Sequence, residues 1–285
     1  MSTISLQRSL SVMLFAVSCA ALPSLTCAGH SWGNYHWART TNPFTLKLGD
    51  NLTSGDWKSR LAQASQDWNS PEAFSTTPPL ITAVVAGRAG SRCSMVAGTT
   101  QVCNGSYGKN GWLGLASIYI TGGIHITQGS AKMNDTYFST LKYNNPNEKL
   151  HVMCQEIAHT FGLNHQSTNG SSQNSCMDYF SNTGANAAST LSTKPNLHDF
   201  DLMNIIYGHL DSTTTLAAMT TLRGSSASDS TDDPKSWGQH RSQSDNGRSS
   251  TYVRHNGDGT QTVTHVYWTE EAAANCPRCD HRYDH

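Results

Sequence analysis

Apolar side chains at Leu150, Cys154, Ile157 and Phe161 recur at steps of four, three and four, the period of a helix that buries one face. Trp57, Leu61, Ala64 and Trp68 repeat that spacing upstream and predict another helix. Strand signals lie between and around them. Phe44, Leu46 and Leu48 alternate with polar residues, Leu80 to Val85 is a short apolar run, and Leu113 to Ile120 and Ile124 to Lys132 flank Gly122-Gly123 as a hairpin would. A second hairpin is predicted for Tyr252 to Trp268, turning at Asn256-Gly257-Asp258-Gly259. Gly87 to Gly111, rich in glycine and serine, reads as a surface excursion, and Ser212 to Ser250 as a flexible linker with little apolar periodicity.

Composition narrows the setting. Of 285 residues only 14% are charged and the formal net charge is -1, which gives no electrostatic case for a nucleic-acid partner. Nothing after residue 30 is long and apolar enough to anchor the chain in a bilayer. The first 28 residues have the form of a secretory signal peptide: Arg8, an apolar run from Leu10 to Leu22, then Thr26-Cys27-Ala28 with a cut expected after Ala28. Six cysteines remain beyond it, an even number that suggests disulfides in a secreted protein. Their order suggests Cys93 with Cys103 and Cys154 with Cys176, while Cys276 and Cys279 form either a local disulfide or, with His281 and His285, a metal knuckle.

The chemistry concentrates between His151 and Gln166. Gln155 and His159 stand four apart on one helical face with Glu156 beside them, Gly162 can end the helix in a left-handed conformation, and His165 follows three residues later. Two ligands at i and i+4, a glycine reversal and a third ligand can converge on one tetrahedral cation, leaving a position open for water. Glu156 would serve that water as base. His151, one turn before Gln155, is about 12 Å along the axis from His159. It is therefore read as a surface residue or a neighbour of a ligand, and His125 as an alternative ligand or a substrate-side residue.

The segment QEIAHTFGLNH resembles the metzincin zinc-peptidase signature H-E-x-x-H-x-x-G-x-x-H, with Gln155 in the place of its first histidine. Ser175-Cys176-Met177-Asp178-Tyr179 resembles the methionine turn of that clan, and His198 to Gly208 the closing helix of its matrixin members. The resemblance implies an α+β fold with a mixed twisted sheet, an N-terminal helix, an active-site helix, the methionine turn and a C-terminal helix. Residues 29–211 would form this domain, and residues 251–285 a C-terminal hairpin with a Cys/His tail. It also implies zinc (Zn2+) held by His159, His165 and Gln155, with Glu156 as base, Tyr179 near the oxyanion, and Gly162 and Met177 as structural residues. The partner would be a peptide or protein substrate lying along the edge of Ile124 to Ala131. A monomeric secreted endopeptidase is the reading that follows. Because an amide oxygen is a poorer zinc donor than imidazole, a secreted protein that binds peptides on the same scaffold without cutting them stays open.

Overall fold

The structure is a computed structural model that describes residues 30–70, 77–89, 92–216 and 233–283. The expected signal peptide lies outside the described residues. The described strands form one mixed sheet in the order β3-β2-β4-β6-β5-β9-β8-β7, with the short β1 (His36–Trp37) beside the start of β6. Strands β2 (Phe44–Asn51), β3 (Leu80–Ala86), β4 (Thr99–Gly105) and β6 (His125–Asn134) run parallel. β5 (Trp112–Thr121) is antiparallel to β6 and, on its other side, to β9 (Gln261–Trp268); β8 (Ser249–His255) and β7 (Gln239–Gln243) follow outward.

Two long helices sit against this sheet. α1 (Gly55–Asn69) begins where Ser54 Oγ accepts the Trp57 amide hydrogen, and buries the four apolar residues that predict it. α3 (Pro146–His159) follows the short α2 (Asp135–Phe138) and starts with Asn145 accepting from the Glu148 amide (2.8 Å) and Pro146 in its first turn. It packs on α1, β5 and β6, and every residue from His151 to His159 is buried. The sequence periodicity marks only one buried face. The polar residues on the other side are buried as well: residues 176–182 cover His151 and Gln155, and Gly114 and His265 cover Glu156. α4 (Leu197–Ile206) closes the domain from a capping box between Asn196 and Asp199.

Three sequence expectations are corrected. Thr99 to Gly105, assigned to a surface excursion, is the central strand β4; its threonines and amides hide it, since Val102 is its one aliphatic residue. The stretch read as linker is ordered near both ends. Residues 233–250 carry a 3-10 turn, Pro234–Trp237, then β7 and the start of β8, while 217–232 lie outside the described residues. The proposed substrate edge at Ile124 to Ala131 is interior, with β4 on one side and β5 on the other. β5 would be the free edge of the N-terminal sheet, and β9 occupies it.

β9 is held there by both of its faces. Period-two alternation directs Ala116 and its register partner His265 toward α3, and Leu115 and Val266 to the opposite face. On that opposite face Trp112, Leu115, Trp237, Tyr252, Val266 and Trp268 form a second apolar cluster. A short helix, α5 (Glu270–Asn275), then docks on residues before α3: Lys142 Nζ lies 2.6 Å from both Glu270 and Glu271, and Tyr143 Oη donates to Glu271.

Candidate metal centre

His159 ends α3 with its Nδ1 on the Leu163 carbonyl (2.8 Å), which places the proton there and leaves Nε2 as a bare acceptor. The chain then reverses at Gly162, whose φ is +91° and whose missing Cβ would lie 1.9 Å from the Tyr35 carbonyl oxygen. The reversal is pinned from the N-terminal segment: the Trp32 amide donates to the Gly162 carbonyl (2.7 Å) and Asn164 to that of His30 (2.6 Å). His165 is thereby returned to His159, Nε2 to Nε2 at 2.9 Å. A third imidazole arrives from the far end of the chain. His265 on β9 stands with its ring 3.8 Å from that of His159 and 4.7 Å from that of His165.

One ligand-capable nitrogen from each of these histidines lies within 4.8 Å of the others, and all three side chains are buried. Glu156 is beside them, Oε2 being 3.8 Å from His265 Nδ1. Gly114 on β5 makes room for that carboxyl, since a Cβ there would be 2.4 Å from Glu156 Oε1. Burial, with a smaller push from His30 and against the hydrogen bond to the Leu163 carbonyl, brings His159 down to about 3. Burial likewise holds His165 and His265 well below the ordinary histidine range and Glu156 well above the carboxylate range. The imidazoles are neutral near pH 7, as ligands must be.

The donor set fits a metal. Both nitrogens of His265, Nδ1 of His165 and both oxygens of Glu156 are buried without a hydrogen-bond partner among the described residues. Five such atoms in one place are costly. A divalent cation would engage the lone pairs and favour the ionised carboxylate.

The other expected site residues fall around this centre. Gln155 is buried next to it, but its Nε2 donates to the carbonyls of Cys176 and Asp178 (both 3.0 Å), so the amide is engaged with the methionine turn. Its Oε1 has no partner among the described residues. Gln155, the expected third ligand, thus has a competitor, His265, already at the site. Met177 is fully buried, its amide on Ser175 Oγ (2.9 Å) and its carbonyl accepting from Gln166, the residue after His165. Tyr179 lays its ring edge-on to His165, centroids 4.0 Å apart, and its hydroxyl donates to Ser249 Oγ on β8.

His151 is no surface residue: it is buried, with Nδ1 near Asn182 and Nε2 near the Asp178 carbonyl, both at 3.2 Å. His125 is away from this centre and contacts Asp211. The structure joins Cys93 to Cys103, Cys154 to Cys176 and Cys276 to Cys279, so the last pair forms a local disulfide rather than a metal knuckle. The residue that sequence reasoning missed is His265. Its signal was slight: an inward position in an alternating strand whose neighbour in the sheet cannot be read from local pattern.

The centre is closed in this conformation. Trp32 packs edge-on to His159 and His265 at 5.6 and 6.1 Å, and β9 covers the β5 edge. A cleft of about 500 Å³ is lined by Tyr179, whose ring meets His165, with Phe180, Ser181, Arg248 and Glu270.

No protein-family model and no curated protein matches this chain. Among solved structures, that of myroilysin is similar to 63% of this chain and 98% of its own, at 13% identity and a TM-score of 0.35. No helix among the described residues is long and apolar enough to cross a membrane.

Proposed function

We propose that the chain is a secreted zinc-dependent endopeptidase with a metzincin-like core, held closed in this conformation by its own C-terminal strands. The observation that carries the reading is the convergence of His159, His165, His265 and Glu156, with five buried polar atoms lacking partners, at one point. The sequence resemblance around Gly162 and Met177 and the three disulfides of an oxidising compartment agree with it.

Zinc at this centre would supply Lewis acidity to a peptide carbonyl and to water. His159 and His165 would hold it throughout, with His265 as the third ligand while β9 is in place. An extended peptide bound to β5 by strand addition needs the ladder that β9 now fills. When β9 leaves, His265 leaves with it, and the unpartnered Oε1 of Gln155 is the nearest replacement on α3. Glu156 then takes the proton of water and delivers it to the departing amine. Tyr179, released from Ser249, donates to the developing oxyanion.

The second reading is a catalytically silent protein in which the metal ties the C-terminal strands to the domain. Burial of all three imidazoles and of Glu156 favours it. Cleavage of a denatured protein, with and without chelator, separates the two. The peptidase reading expects chelator-sensitive cleavage that disappears in Glu156→Ala and Gln155→Ala and becomes faster in His265→Ala. No cleavage by any of them, even with zinc supplied, overturns it.

A further inference from the structure

Away from that centre, His36, His209 and Asp211 bring three further ligand-capable atoms within 4.8 Å of one another. His36 opens β1 and is the register partner of His125, the first residue of β6. His209 and Asp211 belong to the segment after α4, which returns along β1 with the Asp211 amide donating to the Arg39 carbonyl (2.9 Å). Asp211 Oδ1 faces His36 Nε2 at 3.5 Å, His209 Nε2 at 3.7 Å and His125 Nε2 at 3.3 Å. The Nε2 atoms of His36 and His209 are 3.2 Å apart.

Asp211 and His36 are each aimed by a partner outside the cluster. Asp211 Oδ2 accepts from Arg39 Nη1 (2.8 Å) and from the Arg39 amide (3.1 Å), which leaves Oδ1 to face the imidazoles. His36 Nδ1 meets the Asn34 carbonyl at 2.9 Å, so the proton resides there and Nε2 presents a lone pair. In the neutral ring that lone pair faces a carboxylate oxygen at 3.5 Å, a repulsion that a proton on Nε2 or a bound cation relieves. One hydrogen from His209 can satisfy His36 or Asp211 but not both. Ligands of a tetrahedral zinc ion lie about 3.3 Å from one another. The 3.2 Å between the two imidazole nitrogens matches that spacing, and the 3.5 and 3.7 Å to the carboxylate are long for imidazole-to-carboxylate hydrogen bonds.

We propose that His36, His209 and Asp211 form a second, structural zinc site, with His125 steadying Asp211 Oδ1 and water in the fourth position. Two imidazoles and a carboxylate suit zinc rather than calcium or magnesium. The site clamps β1 to the segment after α4. Through Tyr35 and Trp32 it steadies the N-terminal stretch that covers the first metal centre, but it does not depend on that centre being catalytic.

The test is metal content. The full-length secreted protein is stripped with chelator, reloaded with zinc alone, dialysed and measured by elemental analysis beside His209→Ala, Asp211→Asn and His165→Ala. His209 is half exposed, so its variant folds even if Asp211→Asn, which disturbs Arg39, does not. The expected result is one equivalent fewer in His209→Ala than in the parent, with His165→Ala losing a different equivalent and the double variant losing both. If the first centre holds no zinc, the parent carries one equivalent and His209→Ala none. Unchanged zinc in both His209→Ala and Asp211→Asn overturns the proposal.

Discussion

His159 at the end of α3 and His265 in the middle of β9 hold their rings 3.8 Å apart and inclined by 34°. The contact depends on strand register, because pairing His265 with Ala116 puts its ring on the α3 side and a slip of one residue would turn it away. Under the proposed function His265→Ala removes a direct ligand from the closed protein. Changes in residues that merely orient ligands cost 10- to 100-fold in affinity, so zinc should bind at least about 100-fold more weakly. Competition with a chromophoric chelator measures this; unaltered affinity would remove His265 from the metal.

Gly162 carries the reversal that delivers His165. Alanine there needs a left-handed backbone and puts its Cβ 1.9 Å from the Tyr35 oxygen. Gly162→Ala should lower stability by at least about 1–3 kcal/mol, read from urea unfolding midpoints. It should also release zinc from the native protein.

Gly114 offers a cleaner separation of metal from chemistry. A methyl at this position collides with the Glu156 carboxyl and touches none of the three imidazoles among its nearest neighbours. Gly114→Ala should therefore keep its zinc and lose peptide cleavage. Retained zinc with undiminished cleavage would mean that Glu156 is not the base.

Asp199 predicts how stability varies with pH. Burial pushes its carboxyl from 3.8 up to about 7, against the hydrogen bonds it accepts from Ser175 Oγ (2.6 Å) and the Asn196 amide (2.8 Å). The folded state thus holds this proton more tightly than the unfolded state. The contribution is fully present below pH 4 and declines as pH rises toward 7, by up to about 4 kcal/mol. Asp199→Asn should flatten that part of a urea-midpoint profile and be no less stable at neutral pH.

The Cys154 to Cys176 disulfide ties α3 to the methionine turn across a separation of 22 residues. Replacing both cysteines with alanine should cost about 3 kcal/mol in the chain-entropy view. It should cost zinc affinity as well, because the Met177 carbonyl, next to Cys176, accepts from the amide of Gln166, the residue after His165.

Local pattern made most of the domain readable. Trp57 to Trp68 and Leu150 to Phe161 announce helices, and the paired strands around Gly122-Gly123 announce a hairpin, because each buries its own apolar periodicity. His159, Glu156, Gly162 and His165 are legible for the same reason: one helix and one turn position them. What stayed hidden is non-local. β4 is buried with polar side chains, so it lacks the apolar signal of a central strand. β9 carries an ordinary alternating pattern that says nothing of which edge it will join, so His265 could not be placed. His36, His125, His209 and Asp211 come from three separated segments, each unremarkable alone.

The most direct measurement is anomalous scattering at the zinc edge from crystals of the full-length, zinc-loaded protein. The account predicts a peak enclosed by the ring nitrogens of His159, His165 and His265, with Glu156 alongside. An empty position there, or an ion bound by His159, His165 and Gln155 while β9 remains paired with β5, would contradict it.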